Sequence, residues 1–149
     1  MQYKLMFLAM LLAVGGVKAA PVCAAPLAVA ESFHAASVDD VLDATPALLT
    51  ERLGAAFAGE RECQVREQGI CRLDYDPWLD GQDGEIDGAV HFAVAQPAAQ
   101  GRAEVRADYR VWGEARHARL LLREERGCWR VDDFIDNGGG SLHDLLTGP

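Results

Sequence analysis

The chain has 149 residues, half of them apolar and a quarter charged, with 14 Lys+Arg against 23 Asp+Glu and a formal charge of −9. That length holds one domain, and the composition is globular rather than disordered. So acidic a chain repels nucleic-acid phosphates and anionic lipid, which excludes both as expected partners.

Met1 to Lys4 carries one positive charge, an apolar run follows from Leu5 to Val17, and small residues come next. This is the layout of a secretory signal peptide, and the apolar run is shorter than the roughly 20 residues of a membrane helix. Small side chains allow cleavage after Ala19 or after Ala24, with Ala19 preferred; the expected leader is 1–19. Ala20-Pro21-Val22 argues against lipid attachment at Cys23. Removing the leader removes Lys4 and Lys18, the only lysines, and takes the net charge to −11. A periplasmic or secreted protein is expected, with one α+β domain over 26–147.

Pro26 opens an apolar-periodic stretch through Leu27, Val29, Ala30, Phe33 and His34, read as a first helix to Ala36. Ser37 to Asp40 can cap a short turn through Val41 and Leu42. Thr45-Pro46 reads as the start of a second helix, with Leu48, Leu49, Leu53, Ala56 and Phe57 at helical spacing and Gly59 near its end. Cys63 and Cys71, eight positions apart, bracket a turn-prone segment. In an oxidising compartment they read as a local disulfide. Zinc is the competing reading, without CxxC spacing or a nearby histidine. Cys128 can pair with Cys23 or stay a buried thiol.

Asp74 to Gly88 reads as a long loop. Four strands follow: Ile86 to Ala95, Ala103 to Gly113, Arg116 to Glu125 and Trp129 to Ile135. In the second, Ala103, Val105, Ala107, Tyr109 and Val111 alternate with charged residues. Gln96 to Arg102, Gly113 to Ala115 and Arg126-Gly127 are the connections. Gly138 to Gly140 ends the sheet, and Ser141 caps a short helix from Leu142 to Leu146. The expected fold is α+β: N-terminal helices packed on a curved, cone-like four-strand antiparallel sheet, with a short C-terminal helix.

Two segments carry a resemblance. Asp76-Pro77-Trp78-Leu79-Asp80-Gly81-Gln82-Asp83 resembles a DPF-x-x-AQD pattern. Cys128 to Ile135, followed by Ser141-Leu142, resembles a GW-x-IDDI…SL ending. Together they resemble the exported bacterial family called domain of unknown function 3828, which implies a nuclear-transport-factor-2-like cone and an export route but no activity. Trp78, Gly81 and Phe134 depart mildly from the pattern.

Several polar groups are candidates for chemistry. Asp74, Asp76, Asp80, Asp83 and Glu85 could hold calcium, though their spacing departs from the EF-hand; the structural alternative has Asp76 capping a turn at Pro77 and Trp78 plugging the core. Asp133, if it shares the inward face of Trp129 and Val131, must be paired or hard to ionise. That makes it the candidate general acid or base, either with His34 or His91 as a dyad or with Asp83 as a glycosidase-like pair. Its structural alternative is a buried ion pair or a hydrogen bond to the Gln82-Asp83 loop. No serine lies in GxSxG.

The expectation is an exported soluble binding or interaction module needing no cofactor and no metal. It would engage an unknown protein or small molecule, with a basic protein suited to its acidic surface. Neutralising a toxin or a cell-wall hydrolase falls in that class. The alternative is a small periplasmic enzyme using an Asp/His pair in the cone, and a third reading is a calcium-stabilised structural domain.

Overall fold

The computed structural model describes residues 23–149, so the expected leader lies outside the described residues. Helix α1 (Pro26–Ser37) is followed by 3-10 turns at Val41–Asp43 and Pro46–Leu48, then helix α2 (Glu51–Glu67). Strands β1 (His91–Ala99), β2 (Arg102–Val111), β3 (Glu114–Glu125) and β4 (Cys128–Ile135) form one antiparallel sheet in the order β1-β2-β3-β4. Helix α3 (Leu142–Thr147) closes the chain. The α+β architecture is as expected, and the sheet is open rather than closed.

The helices cover one sheet face. Val105, Ala107, Tyr109 and Val111 of β2 and Ala118, Leu120 and Leu122 of β3 meet Phe33, Leu53 and Phe57 from the helices. The space between α1 and the sheet is filled by an aromatic cluster. Trp78 lies edge-on to Phe134 at 4.7 Å and to Tyr109 at 5.9 Å between ring centroids. Its indole N–H donates to Ser37 Oγ at 3.0 Å. Trp78 therefore plugs the core, as its place after Pro77 suggests, with no exposed area.

Both ends of α2 and both ends of β1 differ from expectation. Thr45-Pro46 starts only a 3-10 turn, and Thr45 makes no side-chain cap bond. Leu49 instead bridges Val131 in parallel, and Thr50 N–H donates to Val131 O at 2.9 Å. That pairing with β4 holds Leu49 extended, so α2 begins one residue after Thr50, whose hydroxyl accepts from Leu53 N. Gly59 does not end α2, which runs on to Gln68, a left-handed C-cap. Strand β1 starts later and ends later than read; Ile86 makes only an isolated bridge to Val111. An edge strand with register shifts on either side of Gln96 tolerates Pro97, so the strand continues through the expected hairpin connection.

Cys63 and Cys71 form the expected disulfide, and Cys23 pairs with Cys128. The first closes a loop across 8 positions and the second spans 105.

Candidate functional site: an acidic cleft

The residues read from sequence as candidate chemistry separate into two groups. One group is consumed by the fold. Between β3 and β4 the register shifts: Leu122 faces Val131, and Leu121 faces Asp133. Two aspartates thus occupy the space where a regular strand has one residue. This β-bulge reverses the alternation beyond it. Phe134, opposite Leu120, becomes the core residue, so Asp133 does not share the face of Trp129 and Val131.

Asp133 is nonetheless buried and fully engaged. Its Oδ2 accepts from Ser141 Oγ at 2.6 Å, and its Oδ1 accepts from the N–H of Phe134 and of His143. Ser141 is the N-cap of α3, accepting in turn from Asp144 N. The expected partner, the Gln82-Asp83 loop, is not the one used: Gln82 donates to Asp74 O at 3.2 Å, and Asp83 is exposed. Asp132 does the same for α2. Its Oδ1 accepts from the Thr50 cap hydroxyl at 3.0 Å, and Arg52 grips its carboxylate and its carbonyl. Consecutive aspartates of one bulge therefore each fasten the start of a different helix.

The Asp/His pairs expected for an enzyme do not form. His34 lies edge-on to Trp78 at 4.8 Å and to Phe92 at 5.7 Å, and its buried Nε2 has no hydrogen-bond partner. Burial lowers its pKa below the ordinary imidazole value. His91 is exposed on β1. The carboxylate of Asp133 contacts only the backbone N–H of a histidine, His143, and not an imidazole. Trp129 is half-buried against the core. Among the described residues no group of three or more His, Cys, Asp or Glu is arranged to hold a metal ion.

The second group lines a cleft of about 410 Å³. Asp39 and Asp40 reach it from the turn after α1, Gln64 from the last turns of α2, and Ile70, Asp74, Tyr75 and Asp76 from the loop that follows α2. Val41, Leu42, Leu73 and Pro77 add apolar surface, and no cationic side chain lines it. Ile70 stands on the rim, 71% exposed.

The cleft is fastened on each side. The buried carboxylate of Glu60 accepts from the N–H of Arg72 and Leu73, fixing the chain as it leaves the disulfide. Asp76 Oδ1 accepts from Trp78 N at 2.8 Å, the expected cap of the Pro77 turn. Asp40 Oδ1 accepts from Leu42 N at 2.9 Å. Tyr75 donates to Asp136 Oδ2 at 2.7 Å. Asp136 in turn sits within the glycine run, where a Cβ on Gly140 would come within 2.8 Å of its carboxylate. The run is thus a close-fitting wrap around a buried aspartate.

Burial raises the pKa of Asp76 against the lowering effect of its backbone hydrogen bonds, and the charges of Asp40 and Asp39 raise it further. Burial, with the hydrogen bond to Asp136, likewise raises the Tyr75 phenol. In both groups loss of solvation is the main cause, and the neighbouring aspartates add to it. Sequence reading singled out Asp76 and Gln82 but missed Asp39 and Asp40 as site residues. The available signal was the count of carboxylates flanking two turns; the fold alone brings the two turns together.

No known protein family, curated protein or solved structure matches the chain.

Proposed function

We propose that this protein is an exported binding module whose acidic cleft takes a cationic side chain of a basic partner protein. The observation that carries this reading is a preformed cavity with four aspartates, apolar walls and no cation of its own. An arginine or lysine would set its charged head among the carboxylates and its aliphatic stem against Leu73 and Pro77. A toxin or cell-wall hydrolase with a basic surface is a partner of the right chemistry. Two disulfides suit an oxidising compartment, the periplasm or beyond. The pairing of Cys23 favours cleavage after Ala19, because cleavage after Ala24 would discard it. The order of the two sequence motifs supports placing the chain with the exported family named above, on a nuclear-transport-factor-2-like fold.

Calorimetric titration with an oligoarginine peptide tests the reading. Binding should weaken with salt. The double variant Asp39→Asn/Asp74→Asn should lose at least about tenfold in affinity, one order of magnitude being about 1.4 kcal/mol. Glu62→Gln/Glu124→Gln removes equal charge at exposed positions outside the cleft and should leave affinity unchanged. Equal loss in both double variants would reduce the effect to net charge and overturn the proposal.

A further inference from the structure

The acidic cleft shares a wall with a larger groove. Ile70 lines both, and beyond it a cavity of about 840 Å³ opens between α2 and α3. Its volume falls in the range of ligand sites. Ala55, Ala56 and Gly59 of α2, Leu146 of α3 and the Cys63–Cys71 disulfide give it apolar surface.

The charged groups around this groove are already matched. Arg52 pairs with Asp132 at 3.1 Å, and Arg66 with Glu67 at 2.9 Å. Arg72 donates from its guanidinium to Leu146 O at 3.1 Å, and Glu60 accepts from the N–H of Arg72 and Leu73. An ion entering the groove finds no unmet charge, whereas an apolar side chain gains by leaving water. The two cavities on either side of Ile70 therefore suit opposite chemistry: a cation in the cleft and a neutral apolar group in the groove.

Folding explains neither of two features here. Gly59 lies inside α2, where glycine is the least favourable residue after proline. A Cβ at Gly59 would meet no atom within 4 Å, and no positive φ requires glycine there. What the missing side chain does is leave the groove open. Ile70 is 71% exposed, yet its backbone is held. The disulfide ties Cys71 to α2, and Glu60 fixes the two residues that follow. An isoleucine fixed on the ridge between the two cavities offers apolar contact to a chain that crosses from one to the other.

We propose that the partner's docking segment carries a large apolar side chain beside its cation. The cation sits in the acidic cleft, and the apolar group lies across Ile70 in the α2–α3 groove over Gly59. This rests on the cleft reading and narrows its partner to a basic segment interspersed with aromatic or large aliphatic residues.

Calorimetric titration of the full mature chain with two hexapeptides of equal charge, alternating Arg-Trp and alternating Arg-Ser, tests this. The tryptophan peptide should bind at least about tenfold more tightly. Gly59→Leu fills the groove and Ile70→Ser strips the ridge, both at exposed positions. Each should remove most of that gain while leaving affinity for the serine peptide within about twofold. Val94→Ser, at an exposed apolar position on β1, should leave the gain intact. Thermal melting of each variant verifies its fold. Equal affinity for the two peptides, with binding that weakens in salt, would overturn this inference and leave the cleft reading standing. A gain that survives both groove variants, or that Val94→Ser removes equally, would show general adhesion of tryptophan and overturn it too. Absence of binding by either peptide would overturn both readings.

Discussion

The bulge of β4 and the acidic cleft are both built around aspartates, and they use them in opposite ways. Asp132 and Asp133 are buried, and each accepts from a helix-cap hydroxyl at 3.0 Å or less, with arginine or backbone N–H groups completing the shell. In the cleft, the Asp39 and Asp74 side chains meet no cation, and Asp76 remains hard to ionise despite its two backbone hydrogen bonds. A carboxylate whose acceptors are all filled by its own fold is a fastener. One left facing a cavity without a counter-charge has capacity for a partner. Proximity of acidic residues in sequence does not distinguish the two cases, because Asp132-Asp133 and Asp39-Asp40 are equally acidic pairs.

The largest expected effect comes from the residue that touches both regions. Trp78 packs on Phe134 beyond the bulge and donates its backbone N–H to Asp76 of the cleft. Trp78→Ala should destabilise by about 3–5 kcal/mol, read as a fall in the urea midpoint, and should abolish peptide binding with it. A smaller change separates scaffold from cleft. Cys63→Ser/Cys71→Ser should cost about 2–3 kcal/mol through the freed loop. Glu60 still holds Arg72 and Leu73, so calorimetry should find oligoarginine affinity within about threefold of wild type.

Acid should weaken the protein through His34. Burial holds this imidazole below its ordinary value of 6.5. As pH falls through 6.5 the unfolded chain takes up the proton first, so this contribution is complete above that value and is lost below it. His34→Phe, which suits the aromatic neighbours, should flatten the dependence of melting temperature on pH between 7 and 5, a range set by the usual histidine titration window. The smallest effect belongs to Asp76→Asn. Because the folded-state pKa of Asp76 is raised, its charge works against folding above the unfolded value. Asparagine keeps the acceptor for Trp78 N, so the melting temperature at neutral pH should hold or rise slightly. A fall of several degrees would show that the charge itself is structural.

Much of the fold was legible from local chemistry. Alternation along β2, the Gly-containing hairpins and the Ser141 cap placed the sheet and α3, and the proline before Trp78 marked a buried turn. The remainder depended on partners distant in sequence. Leu49 and Thr50 read as part of a helix until Val131 pairs with them. The face of Asp133 followed from strict alternation, and one extra residue in β4 reversed it. The cleft draws on three segments between Asp39 and Gln82, none of which carries a motif for it. His34 and Asp133 were each sound as candidate acid–base residues taken singly; the packing around Trp78 and the cap of α3 keep them apart.

The most direct test sets one aspartate of each region side by side. Urea unfolding of Asp133→Asn and Asp74→Asn should show a loss of about 1–3 kcal/mol for the first, the effect of weakening a buried charged hydrogen-bond set. The second should stay within about 0.5 kcal/mol, as surface substitutions do. Unchanged or raised stability in Asp133→Asn, or an equal loss in Asp74→Asn, would contradict the division between fastening and binding aspartates.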